Sequence, residues 1–286
     1  MLKIQDGCVN FCSYCIIPYT RGRICSLPID QAVKETERLR DEGYRELVLT
    51  GIEVAAYGSD LPGKPTLADV IVACAEVSGS MRIRLGSLEP TLVTREFAQR
   101  TAATGKLCRH FHLSMQSGCD RTLKAMNRKY DTARYYETVC ILREAFPGCA
   151  ITTDMITGFP GETEADQQES LEFIQKCEFS GMHIFPYSRR PGTVADKLPQ
   201  QHTSAVKSAR AREAQKVADQ MEEKFLQQSV GQVLPVLFET EEDGYSIGHS
   251  DTYLRVKVPG TELRGKLKNI KINCLEAGVL VGEIID

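Results

Sequence analysis

Short apolar and β-branched runs recur through the first two-thirds of the chain, each followed by a segment whose apolar positions return every three or four residues. The plainest predicted strands are 45–50, 82–85, 110–113, 150–156 and 181–185, and helices are predicted near 29–42, 66–77, 94–104, 132–145 and 163–177. The first helix has Pro28-Ile29-Asp30 at its start and Gly43 at its stop, where capping chemistry favours such residues. A short strand ahead of Cys8 brings the count to six strand–helix units. Alternation of this kind predicts an α/β fold with a parallel sheet, right-handed crossovers and functional residues at the carboxyl ends of the strands. Six units rather than eight predict an open, partial (βα)6 barrel over residues 1–202, while period alone is equally compatible with a doubly wound sheet.

The pattern then changes twice. Residues 203–227 are polar with helical spacing, Lys207, Arg210, Arg212, Lys216 and Lys224 being interleaved with Glu213, Glu222 and Glu223, which predicts a connecting helix. From 228 to 286 short strands (233–238, 253–258 and 278–284 among them) are broken by turns such as Asp243-Gly244, and five or so strands in so short a span predict a small all-β, OB-like barrel. A chain of 286 residues with 42% hydrophobic content is long enough for one barrel-sized domain and a small appendage. It contains no uncharged apolar run of membrane-spanning length and opens without an export signal, so a cytoplasmic protein with no membrane partner is expected. The net charge of -3 argues neither for nor against nucleic acid, because counterion release needs a local patch. With no Trp, base stacking falls to Tyr, Phe, His or Arg.

Most of the eleven cysteines (Cys25, Cys74, Cys140, Cys177 and Cys274, for example) are isolated and read as small core residues. Cys8, Cys12 and Cys15 differ, since they crowd into one loop after the first strand. Thiolates are soft ligands for iron–sulfur clusters or zinc. A structural zinc wants four ligands, whereas three thiolates on a [4Fe–4S] cluster leave one iron open to a chelating substrate. A zinc knot or three unrelated core cysteines is the alternative.

Gly7-Cys8-Val9-Asn10-Phe11-Cys12-Ser13-Tyr14-Cys15 resembles the CxxxCxΦC signature of the radical S-adenosylmethionine (SAM) superfamily, Tyr14 standing as the aromatic. The resemblance implies a [4Fe–4S] cluster on Cys8, Cys12 and Cys15 that generates a radical from SAM, inside a partial (βα)6 radical SAM barrel. Residues suited to SAM stand at successive strand ends: Thr50, Gly51 and Glu53; Ser87 and Glu89; Ser114 and Gln116; Asp154 and Gly158. Arg128 is suited to a carboxylate by a bidentate fork. His110, His112 and His183 read as strand histidines with ordinary partners and are given no catalytic role.

A narrower resemblance rests on 82–85, 113–118, 123–128, 158–163 and Phe185-Pro186-Tyr187-Ser188 with Pro191-Gly192-Thr193. These segments resemble the methylthiotransferase family. Thr50-Gly51-Ile52 with Tyr57-Gly58, and 86–90, look like the branch that methylthiolates N6-threonylcarbamoyladenosine beside the tRNA anticodon. Residues from 228 resemble the TRAM domain, which in that family binds tRNA, with Arg255, Lys257, Arg264, Lys266, Lys268 and Lys271 as the phosphate-contacting cations. The resemblance further implies an electron donor of the flavodoxin or ferredoxin type, a sulfur source and, in the family, an N-terminal domain with a second cluster that this sequence is expected to lack. Two competing readings are a radical SAM enzyme that cleaves SAM without methylthiolation and a non-catalytic RNA-binding protein with a structural metal. Iron and sulfide content separates the second from the enzymes.

Overall fold

The computed structural model describes residues 1–285. Strand β1 (Leu2–Asp6) leads into the cysteine loop, a one-turn helix α1 (Ile17–Arg21) and a two-residue strand β2 (Cys25–Ser26). Helix–strand units follow: α2 (Ile29–Asp41) with β3 (Glu46–Gly51), α3 (Leu67–Val77) with β4 (Arg82–Leu85), and α4 (Arg95–Ala103) with β5 (His110–Gln116). Then come α5 (Asp120–Ala125), α6 (Thr132–Ala145), β6 (Ala150–Thr157), α7 (Glu164–Cys177), β7 (Gly181–Pro186) and the long α8 (Ser204–Ser229). The chain ends in β8 (Val233–Glu242), β9 (Tyr245–Ser250), β10 (Arg255–Pro259), β11 (Leu267–Glu276) and β12 (Val279–Ile284).

The helices begin where short polar side chains meet orphan backbone donors. Thr66 and Thr163 each accept from the amide three residues on, and Asp69 and Asp166 return the bond to the cap amide; such caps contribute about 1 kcal/mol each. Strands β1, β3 and β4 form one parallel ladder, with β2 antiparallel on its outer edge, and β5, β6 and β7 form another. Parallel bridges from Ile83 to Leu107 and from Leu88 to Leu113 join the two ladders. Among the described residues β7 and β1 do not pair, so the six parallel strands make the open (βα)6 barrel that the alternation predicts.

Alternation along each strand sorts the side chains. Leu47, Leu49, Ile83, Leu85, Phe111, Leu113, Ile151 and Met155 pack under the helices in one continuous core. Their neighbours Glu46, Arg82, Arg84, His112, Thr152 and Asp154 face the lumen, which is therefore polar. Helix α8 does more than connect: Ala214 belongs to the large core and Leu226 to the core of the second unit.

That second unit is a closed barrel in the order β10-β12-β11-β8-β9, the small TRAM-like barrel expected from the resemblance. It stoppers the amino end of the large barrel. Arg82 donates to the carbonyls of Pro235 (2.9 Å) and His249 (3.0 Å), and Arg84 to those of Asp251 (3.1 Å) and Ser250 (3.0 Å). Both arginines also pair with Glu46, at 2.6 and 2.8 Å. Tyr253 stacks on His110 with ring centroids 5.0 Å apart, under the Arg84 guanidinium at 4.8 Å. Burial, then the Arg84 charge, pushes the His110 imidazole down to about 3, so it is neutral at working pH.

Gly7 fixes where β1 stops. Its φ is +78°, and a Cβ there would lie 1.9 Å from the Arg23 carbonyl oxygen. Gly7→Ala is expected to cost about 2–3 kcal/mol through strain and displacement of the 22–23 segment, read as a lower thermal midpoint together with reduced iron loading of the adjacent cysteine loop. Unchanged values for both would show that the segment yields freely.

Candidate active site

The carboxyl ends of the strands carry the chemistry. Gln5, at the end of β1, donates to the Gly7 carbonyl at 2.8 Å, and its Oε1 accepts from the amides of Ile52 (3.1 Å) and Glu53 (2.8 Å). One side chain thus ties the cysteine loop to the loop after β3. The other face of the cysteine loop is held by the end of α5 and the residues just after it. Met126 and Ala125 carbonyls accept from the Ser13 amide (2.9 Å) and hydroxyl (2.8 Å), and Asn127 donates to the Phe11 carbonyl at 2.9 Å. Phe11, Gln116 and Asn127 all have positive φ (47°, 69° and 59°), conformations that cost about 1 kcal/mol or more and gather where a site is over-determined by its surroundings.

Inside this frame Cys8, Cys12 and Cys15 line one cavity of about 160 Å³, together with Glu53, Glu89 and Arg128. Arg128 Nη1 donates to Cys12 Sγ at 3.2 Å, its Nε donates to the Tyr130 hydroxyl at 2.9 Å, and Nη2 lies 3.5 Å from Glu89 Oε1. Burial pushes the Cys8 and Cys15 thiols up from their ordinary range. Burial, then the neighbouring Glu89, also pushes the Glu53 carboxyl up, while Asn10 Nδ2 donates to it at 2.7 Å. Withdrawn from water, thiolates and paired carboxylates are both stabilised by cations. The donor set therefore fits an iron–sulfur cluster on the three thiols beside a cationic ligand on Glu53 and Glu89. A second cavity of about 410 Å³ shares Tyr14, Cys15, Ile17 and Gln116 with the first and reaches Asp154, Phe185 and Arg190. The two adjoin along those shared residues.

The structure gathers most of the residues singled out from the sequence. Cys8, Cys12, Tyr14, Cys15, Glu53, Ser87, Glu89, Ser114, Gln116 and Arg128 line the first cavity, and Asp154 lines the second. Thr50, Gly51 and Gly158 line neither. A Cβ on Gly51 would sit 2.8 Å from the Gln5 carbonyl oxygen, and one on Gly158 would sit 2.4 Å from Lys207 Cγ, so tight packing accounts for both glycines. The Arg128 fork is taken by Cys12, Tyr130 and Glu89 and not left free for a carboxylate. Sequence reading passed over Gln5, Asn10 and Asn127, whose roles arise from hydrogen bonds to distant segments. On the small barrel, Arg255 pairs with Glu242 (3.2 Å) and Lys257 with Glu276 (2.8 Å). Arg264, Lys266 and Lys268 have no carboxylate within ion-pair distance among the described residues, and Lys271 donates to the Gly231 carbonyl at 2.6 Å.

An open parallel barrel with three clustered thiols at its carboxyl end defines the radical SAM class, and the family model described as "Radical SAM superfamily" matches residues 2–174. The chain is 38% identical over 283 residues to the threonylcarbamoyladenosine tRNA methylthiotransferase MtaB of Bacillus subtilis, covering 97% of this chain and 62% of that protein. It is 36% identical to a tRNA-2-methylthio-N(6)-dimethylallyladenosine synthase of Thermodesulfovibrio yellowstonii (99% and 65% covered). To the MtaB of Chlamydia pneumoniae it is 35% identical (99% and 67% covered). The chain belongs to the radical SAM superfamily and, within it, to the tRNA methylthiotransferase family. It spans less than two thirds of the length of the first two of these relatives. Coproporphyrinogen III oxidase (HemN) of Escherichia coli shares the fold, with a TM-score of 0.55 at 13% identity over 95% of this chain and 65% of that one. Among the described residues no helix is long and apolar enough to cross a membrane.

Proposed function

We propose that this chain is the catalytic core of a tRNA methylthiotransferase that methylthiolates C2 of N6-threonylcarbamoyladenosine next to the anticodon. The observation that carries the reading is the pair of adjoining cavities, one walled by three thiols and two carboxylates, the other lined by Tyr14, Ile156, Phe185 and Tyr187 beside Asp154 and Arg190. When bound, the [4Fe–4S] cluster and SAM supply a carbon-centred radical for hydrogen abstraction. The residues supply the rest. Cys8, Cys12 and Cys15 hold the cluster, Arg128 steadies the Cys12 thiolate, and Glu53 accepts from the amino group of SAM. Ser114 and Gln116 take its ribose hydroxyls. Ile156, Phe185 and Tyr187 form an apolar wall that limits water around the reacting carbon. Cations of the small barrel, Arg264, Lys266 and Lys268 foremost, hold tRNA phosphates, which fix position and carry no base information. In this reading residues 1–202 form the catalytic domain, 203–227 the connecting helix and 228–286 the RNA-binding barrel. A flavodoxin- or ferredoxin-type donor reduces the cluster, and a separate source provides sulfur.

Hydrogen abstraction can be followed without the sulfur step. The cluster-loaded, reduced chain is given SAM and tRNA bearing N6-threonylcarbamoyladenosine deuterated at C2. Deuterium is expected in the 5′-deoxyadenosine released, and none from tRNA bearing a deuterated dimethylallyladenosine. Transfer from the second tRNA alone would move the substrate assignment to that branch, and 5′-deoxyadenosine without deuterium from either would leave SAM cleavage without this target.

A further inference from the structure

The lumen of the large barrel holds a side-chain cluster that neither the thiols nor the SAM-facing carboxylates involve. The parallel register sets Thr152 beside His112 and Asp154 beside His183 on neighbouring strands, all on the inward-facing side. One ligand atom from each of His112, Asp154 and His183 lies within 4.8 Å of the others. His112 Nε2 and Asp154 Oδ2 are 3.3 Å apart. That is long for an N–H···O hydrogen bond, usually about 2.9 Å. It matches the edge of a coordination tetrahedron, because metal bonds of about 2.0–2.1 Å to nitrogen and oxygen subtend roughly 3.4 Å. The other ring nitrogen, His112 Nδ1, lies 3.0 Å from Thr152 Oγ1, the kind of contact that fixes a ligating imidazole and turns its free nitrogen toward the ion. His183 is exposed on β7, so an ion can approach, and its ligand atom already lies within 4.8 Å of the other two. Cys119, Asp166 and Glu169 also converge, but Asp166 is already committed to Arg121 and to the cap of α7.

We propose that His112, Asp154 and His183 bind one divalent first-row transition ion of the zinc or iron(II) class, with an open coordination position facing the larger cavity. Two imidazoles and a carboxylate suit that class. Magnesium and calcium prefer an all-oxygen set, and copper(I) prefers sulfur. Three protein ligands leave a position for water or a substrate oxygen, the arrangement of catalytic sites and not of closed structural ones. Asp154 lines the larger cavity, so that position opens where the substrate base is proposed to lie.

Cobalt(II) is the probe. Added anaerobically to the cluster-loaded chain, one cobalt per chain is expected to bind, with a high-spin EPR signal visible beside the diamagnetic oxidised cluster. Its visible spectrum should show nitrogen and oxygen ligation and no thiolate-to-cobalt charge-transfer band. His183→Ala, at an exposed position, and Asp154→Asn are each expected to weaken binding by about a hundredfold, with circular dichroism and iron content unchanged. The Cys12→Ala chain is expected to keep the cobalt site, which separates this proposal from the cluster assignment. Failure of the parent chain to retain cobalt, a thiolate band, or affinity unaltered by both substitutions would overturn it.

Discussion

Cys12→Ala is expected to reduce iron and sulfide content and 5′-deoxyadenosine formation to the background of the metal-free chain while leaving the fold intact. The two halves of that expectation have separate physical grounds. The cysteine loop is positioned by bonds that do not involve sulfur, from Ser13 to the carbonyls of Met126 and Ala125 and from Asn127 to the Phe11 carbonyl. Removing one Sγ leaves them in place and vacates little volume. Two thiols, however, cannot hold a cluster that needs three. Arg128→Met tests a finer point, since it leaves all three thiols but removes the donor at 3.2 Å from Cys12 Sγ. A hydrogen bond to a charged group contributes about 1.5–3 kcal/mol, so cluster retention is expected to fall roughly ten- to hundredfold, less than for Cys12→Ala. The measurements are anaerobic reconstitution, iron and sulfide assay, and chromatography of the SAM cleavage products. Full SAM cleavage by Cys12→Ala would remove the thiol triad from the chemistry, and zinc in place of iron in the parent chain would favour a structural metal.

What was legible beforehand was local. Helix α6 spans Thr132–Ala145, the span that its apolar spacing predicts, because Asp131 caps it and the period continues to its end. The thiol triad was legible for the same reason, three ligands lying in one loop. Elements made by pairing were not. β2 has only two residues and exists because β1 offers an edge, and β11 was hidden by its charge: Lys268 and Lys271 read as part of a basic patch, while Ile270 and Ile272 between and beside them are core residues of the small barrel. The strand-end rule placed Glu53, Glu89, Ser114 and Gln116 in the first cavity, but it cannot tell a glycine needed by a ligand from one needed by Gln5 or Lys207. His112, Asp154 and His183 come from three strands, so only the sheet register brings them together.

Arg84→Leu is expected to destabilise the protein by about 3–5 kcal/mol and to separate the melting of the small barrel from that of the large one. Arg84 is almost fully buried, and it donates to the Ser250 and Asp251 carbonyls as well as to Glu46. Leucine fills part of the volume but leaves the Asp251 carbonyl without its donor, the Ser250 carbonyl with the Tyr253 amide alone, and Glu46 with Arg82 as its remaining cation. The thermal midpoint should fall by roughly 10 °C. Glu46 adds a dependence on pH. Burial opposes its ionisation, but the bonds and charges of Arg84 and Arg82 outweigh that and hold its carboxyl below the ordinary 4.5. A carboxyl whose folded pKa is depressed contributes its stability above the unfolded value and loses it as pH falls through the folded one. The parent chain should therefore lose part of its stability below pH 4.5, and Glu46→Gln, already weaker at pH 7, should show a shallower loss over that window. Parallel acid curves for the two chains would mean that other carboxyls carry the linkage. A single cooperative transition in Arg84→Leu at an unchanged midpoint would mean that α8, and not the arginine pair, couples the two barrels.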